Sequence, residues 1–303
     1  MTGTTEIAMP SDAPIPISGV MVPADAMSPA DLLAHVRRIE ALGYPSVWIP
    51  DMFGREIYVT AGYLLANTER VKVATGVAHI YGRDAIASVQ AARTLAELSG
   101  GRFIQGLGVS HPIAAQARGL EWRNPVVAIT EYVTAMRGPT PLQIRDTETP
   151  VPIYVAAHGP KMMAAAAAVA DGANTYMQVP EHTADARRVL GPHKVLNVVL
   201  PSCLSADPEV ARAAGRRAVA MYLPLPAYQR QWAAQGFTAD DWAGTGSDRL
   251  VDTYVAWGDP PTLQAKMRAH VDAGATSIVL GTLPTSRAAG SWELLEALAP
   301  SHR

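Results

Sequence analysis

Residues 71–108 read VKVATGVAHIYGRDAIASVQAARTLAELSGGRFIQGLG, and this stretch decides the fold. Val71 to Val77 is apolar and β-branched, as a buried strand requires. A polar loop follows. Apolar residues then recur at helical spacing from Ala85 to Leu98, Ser99-Gly100-Gly101 stops the helix, and Arg102 to Gly108 forms a second strand. The segment is thus one complete β-loop-α-β unit. Gly76, Gly106 and Gly108 lie where its strands run out. Lacking a Cβ, they let a flat ligand or a neighbouring backbone come close. In barrel and open-sheet enzymes that edge of the sheet carries the chemistry.

The same alternation extends in both directions. Further strands are expected at Ile15 to Val22, Ser46 to Pro50, Val151 to Ala156, Asn174 to Gln178, Val195 to Leu200 and Ser277 to Leu280. The other helices are expected at Pro29 to Leu42, Ile57 to Thr68, Asn124 to Met136, Lys161 to Ala170, His182 to Val189, Pro208 to Met221 and Pro261 to Ala273. Ser28-Pro29 is a cap followed by a first-turn proline, and Gly43, Gly172 and Gly274 are placed to end helices. Eight short apolar strands with helices between them predict an α/β (β/α)₈ TIM barrel, with a doubly wound sheet as the competitor. Residues 1 to about 14 read as an N-terminal arm, and residues 15–303 as a single barrel domain. The stretch 223–253 breaks the pattern. It holds Tyr228, Trp232, Phe237 and Trp242 without a β period, and reads as a helical insertion before the last strand. It either roofs the barrel mouth or packs on the outer wall.

Composition narrows the chemistry. The chain has 303 residues, 49% apolar and 17% charged, with a net charge of -2. That balance gives no general attraction to nucleic acid or to acidic membranes. Cys203 is the only cysteine, so neither an internal disulfide nor a thiolate cluster is expected, which suits a reducing cytoplasm. The start lacks a basic stretch ahead of an apolar core, so no signal peptide is expected. The alanine run after Lys161 is too short to span a bilayer.

The strand tips supply Asp51, His79, Ser110, His111 and His158. No pair of histidines has metal-ligand spacing on one helix face, so no metal site is expected. Neither a carboxylate pair nor a nucleophile elbow is present. Imidazoles, amides and apolar walls suit an organic cofactor that brings its own reactivity. The best anion site is AAHGPKMMAAAAAVADG. Gly159 turns the chain, Pro160 opens a helix, and the free N–H groups there attract a phosphate. Lys161 either adds a charge or is a solvated first-turn residue.

Together, LGYPSVWIPD, residues 71–112 and VPIYVAAHGPKMMAAAAAVADG resemble the luciferase-like flavin and deazaflavin oxidoreductases, and within them the coenzyme F420-dependent branch. The resemblance covers roughly residues 15–200. It implies hydride transfer between deazaflavin C5 and a small organic substrate. It implies a cofactor ring at the strand tips, a cis peptide at Gly76-Val77 against the ring, and Gly108 and Val109 beside the ribityl chain. Asp51 and His79 match the polar positions near the ring, with His79 as proton relay, and Ala157, His158, Gly159, Pro160 and Lys161 match the phosphate loop. Tyr81 and Arg83 either close on the cofactor or pair elsewhere. Where many F420 members have a histidine after the acid, this chain has Met52 and Phe53. The sugar-phosphate branch carries a glutamate after the fourth-strand glycines, where Val109 and Ser110 stand here. These departures favour an apolar carbonyl, enone or alcohol over a sugar phosphate. An FMN-dependent monooxygenase and a nonenzymatic protein of the same fold are the alternatives. The family is usually dimeric, so a homodimer is expected.

Overall fold

The structure is a computed structural model that describes residues 14–139, 149–285 and 291–300. The expected N-terminal arm lies outside the described residues up to residue 13. In chain order the elements are β1 (Ile17–Met21), α1 (Pro29–Ala41), β2 (Ser46–Ile49), α2 (Ile57–Ala66), β3 (Lys72–Thr75), β4 (Ala78–His79), α3 (Ala85–Ser99) and β5 (Phe103–Gly108). Next come α4 (Pro112–Gln116), α5 (Pro125–Arg137), β6 (Ile153–Ala156), α6 (Pro160–Val169), β7 (Gly172–Tyr176), α7 (Pro180–Leu190) and β8 (Val195–Leu204). The chain continues through α8 (Pro208–Val219), α9 (Pro226–Ala234), α10 (Ala239–Trp242), α11 (Asp248–Tyr254), β9 (Ala256–Gly258), α12 (Pro260–Asp272), β10 (Ser277–Thr282) and α13 (Trp292–Ala297).

All strand pairs are parallel. They run β1-β2-β3-β5-β6-β7-β8, and β10 pairs with both β8 and β1. The sheet therefore closes into the expected eight-stranded barrel, and the doubly wound alternative is excluded. β4 pairs with the end of β5, and β9 with the end of β8, as short rim extensions. Side-chain caps start most of the surrounding helices. Ser28 accepts from Asp31 N, Asp84 from Ala87 N, and Asp259 from Thr262 N. Gly100 ends α3 in the left-handed region.

The barrel interior is layered. Asn197 donates to Asn174 Oδ1 at 3.0 Å and accepts from Ser277 Oγ at 2.6 Å, and Ser18 bonds to Ser277. Above this polar layer sit Trp48, Ala74, Ile104, Val199 and Val279, with Met21, Tyr154 and Tyr176 packed against them. Trp48 and Tyr154 stack across the barrel at 6.1 Å. The main apolar core lies between barrel and helices. Among the described residues, no helix is long and apolar enough to cross a membrane.

Two details correct the sequence reading. Gly172 was expected to end a helix but is the first residue of β7, and α6 stops at Val169. A Cβ on Gly172 would lie 2.5 Å from Val195 O, so this glycine serves a close strand contact. β7 starts two residues earlier than expected. β8 runs past its expected end to Leu204, because its last residues gain β9 as a partner.

His270 on α12 is buried, and its Nδ1 lies 2.9 Å from Thr183 Oγ1 on α7. Burial pushes its pKa down to about 4, aided by His182 and opposed by Glu181. Between the usual 6.5 and about 4, the unfolded chain binds a proton that the native chain refuses. Stability therefore falls as pH drops through that window, by about 3 kcal/mol for this residue. Urea unfolding at pH 7 and pH 4.5 should show the loss, and His270→Asn should remove this share. Equal pH dependence in both proteins would refute the assignment.

Candidate active site

The C-terminal ends of β2, β4, β5 and β6 bring the expected residues to one end of the barrel. Asp51 follows β2, and its Oδ2 accepts the backbone N–H of His79 at 3.0 Å. The two side chains are nearly buried, at 13% and 11% exposure, with His79 Nδ1 4.0 Å from Asp51 Oδ2. His79 Nδ1 is buried and has no hydrogen-bond partner. Burial lowers the His79 pKa. Asp51 opposes that shift, while Arg118 and His111 reinforce it. The imidazole is thus neutral near pH 7, with one donor and one acceptor nitrogen.

The Gly76-Val77 peptide is cis, at the bond where the resemblance places it. Gly76 lies over Met21 and Trp48, where a Cβ would come 3.2 Å from Met21 Cε. A Cβ on Gly106 would lie 2.0 Å from Thr75 O, and one on Gly108 would lie 2.5 Å from Val77 Cγ2. These two glycines therefore make room for the protein's own backbone and side chain. Val109 is half-buried and packs against the main core.

The fifth-strand loop contains the expected turn. Ala157 is buried, and Gly159 is the N-cap of α6 with φ -89° and ψ 159°. The helix begins at Pro160. No side chain caps it, and nothing lies within 4 Å of a Cβ built on Gly159. The first N–H groups of α6 therefore have no side-chain cap, with the positive end of the helix dipole behind them. Lys161 is exposed beside them. His158 accepts from Gln178 Nε2 at Nδ1 (3.0 Å), and its carbonyl accepts from His182 Nε2 at 2.5 Å. Burial, together with His182 and His111, pushes the His158 pKa down to about 4, so it too is neutral.

Other candidates fall outside this cluster. Arg83 pairs with Glu56 at 2.5 Å and lies over the Tyr58 ring. Tyr81 stacks on Trp122 at 5.4 Å, and its hydroxyl accepts from Arg123 N. Both are engaged by the protein itself. Met52 and Phe53 are exposed at 40% and 64%, and form an apolar lip. Asp25 ties down this lip by accepting from Gly54 N and Arg55 N.

The insertion carries its own core. Met177, just past β7, packs with Val219, Leu223, Tyr228, Trp232, Phe237, Leu250 and Tyr254. Tyr228 of α9 reaches the strand tips, its ring 6.2 Å from His111 and 5.8 Å from His158. Neither this contact nor Arg118 stands out in the sequence. Arg118 lies 5.4 Å over the Phe53 ring. Its signal was its place in the loop after the GLG strand end. Among the described residues, no group of three or more histidine, cysteine or acidic side chains could hold a metal ion.

The luciferase-like monooxygenase family profile matches residues 13–277. The chain belongs to this family. Among its relatives is the 5,10-methylenetetrahydromethanopterin reductase of Methanolobus tindarius, 28% identical over 303 aligned positions, which span 86% of this chain and 92% of the relative. Among solved structures, the coenzyme F420-dependent tetrahydromethanopterin reductase of Methanopyrus kandleri superposes with a TM-score of 0.72 at 18% identity, covering 95% of this chain and 98% of the other. An F420-dependent secondary alcohol dehydrogenase, solved with an F420–acetone adduct, superposes with a TM-score of 0.75 at 18% identity, covering 95% and 99%. At that identity the two structures speak for the family barrel alone.

Proposed function

We propose that this chain is an F420-dependent oxidoreductase acting on a small organic carbonyl, enone or alcohol. The observation that carries the reading is one barrel end with an uncapped helix start and an unpartnered, buried imidazole nitrogen. The first suits a phosphate. The second suits a polar edge of a ring or substrate. The sequence relative in Methanolobus tindarius, named as a reductase, supports redox chemistry, and a relative in Mycobacterium tuberculosis named a putative coenzyme F420-dependent oxidoreductase, 29% identical over 48% of this chain, supports the choice of F420.

A bound deazaflavin would supply hydride transfer at its ring carbon. The chain's residues have the remaining tasks. The N–H groups of Lys161 and Met162 at the α6 start, with the Lys161 ammonium, hold the phosphate. Asp51 fixes the backbone of His79 and keeps a carboxylate 4.0 Å from its ring nitrogen. His79 gives or takes a proton through a ring nitrogen, which its neutral state permits at pH 7. Met52 and Phe53 provide an apolar wall for the substrate, and residues 223–253 cover the mouth and exclude water.

The family's monooxygenase description supports a second reading, in which FMN takes the same place. Titrating the purified chain with each cofactor separates the two. F420 is expected to saturate at one per chain, with FMN at least ~10-fold weaker, equivalent to 1.4 kcal/mol. Tight FMN binding without F420 binding would reverse the assignment.

A further inference from the structure

We propose that Arg118, seated over Phe53 at the lip of the barrel, anchors a carboxylate carried by a flat, apolar substrate. This deepens the oxidoreductase reading by naming a feature of the substrate. α4 ends at a tight turn in which Leu120 N returns to Ala115 O at 3.0 Å and Gly119 has φ +67°. That turn presents Arg118 to the lip. One guanidinium N–H is spent on Ala114 O at 3.0 Å, which steadies the group. Its other donors have no carboxylate partner among the described residues.

Three other arginines of the loops at this end are engaged. Arg55 donates to the Ala24 and Met27 carbonyls, Arg83 pairs with Glu56, and Arg123 pairs with Glu131 at 2.6 Å. Arg118 instead keeps a half-buried cation beside an exposed aromatic ring. Its charge reaches the His79 imidazole, whose protonation it disfavours. Asp51, the acid of the same mouth, gives an oxygen to the His79 backbone N–H. A planar guanidinium with free donors matches the fork of a carboxylate, and Phe53 offers its face to the adjoining flat group.

The test uses cinnamate as the probe and cinnamamide as its neutral counterpart. Binding is followed by calorimetry on the chain with and without F420. Cinnamate should bind roughly 10-fold or more tightly than cinnamamide. Arg118→Gln should abolish that preference and leave F420 affinity unchanged. Arg118→Lys should keep part of it, and added salt should weaken it. Three results would overturn the proposal: equal binding of the two probes to the unaltered chain, a preference that survives Arg118→Gln, or loss of F420 affinity in that variant. A preference for cinnamate in a chain that binds no F420 supports the anchor and counts against the oxidoreductase reading.

Discussion

Gly159→Asp is expected to leave the protein at least as stable while cutting F420 affinity about 100-fold. The two effects share one cause. Gly159 is an N-cap with ordinary extended dihedrals and open space where its Cβ would stand. Aspartate fits that conformation, caps α6 better than glycine by a few tenths of a kcal/mol, and adds a favourable interaction with the helix dipole of ~0.3–1 kcal/mol. The same carboxylate occupies the N–H groups that a phosphate needs and repels its charge. Losing two charge-assisted hydrogen bonds accounts for about 3 kcal/mol, or ~100-fold. Gly159→Ala should leave F420 affinity nearly unchanged and lower stability by up to about 1 kcal/mol, because alanine is a poorer N-cap than glycine. A melting scan and a cofactor titration on the two variants provide the check. An aspartate variant that binds F420 like the unaltered chain would remove the α6 start from the site.

Gly106→Ala should have the opposite profile, destabilising the whole molecule. Thr75 Oγ1 donates to Gly106 O at 2.6 Å and accepts from Gly106 N at 2.8 Å, which locks β3 to β5. A Cβ placed 2.0 Å from Thr75 O meets backbone, and no rotamer change relieves that clash. Separating the strands would break both bonds. A cost of about 3 kcal/mol or more is expected, with a melting temperature lower by roughly 5 °C or more. A variant that melts with the unaltered chain would show that the two strands can part freely at this point.

These two glycines also mark what the sequence made legible. The strand–helix–strand unit around them was readable because its periods are local, and the eight-strand count followed from the same pattern. The function of each glycine was less readable. Gly106 and Gly108 stand at strand tips as a ligand site would demand, yet their space is taken by Thr75 O and Val77 Cγ2. Gly159, at the start of α6, has open space beside it. Asp51 and His79 were put near the ring by the family resemblance and not by spacing, and the bond between them had no signal in the sequence. Arg118 over Phe53 and Tyr228 against His111 and His158 join distant parts of the chain. Such contacts leave no periodic trace, and they become visible only once the barrel has closed. The short strand β9 escaped notice because three residues are too few to carry a period.

The way β8 outruns the barrel has a consequence for how this architecture diversifies. Its stretch from Asn197 to Ser202 closes the ring with β10, whereas Ser202 to Leu204 pair with β9, the strand that ends the inserted helices. The segment bearing Tyr228 is joined to this overhang through β9 and packs in a separate apolar nucleus with Met177. Its length and side chains can drift while the closing ladder keeps its alignment. New selectivity can thus accumulate over the strand tips at little risk to the scaffold beneath.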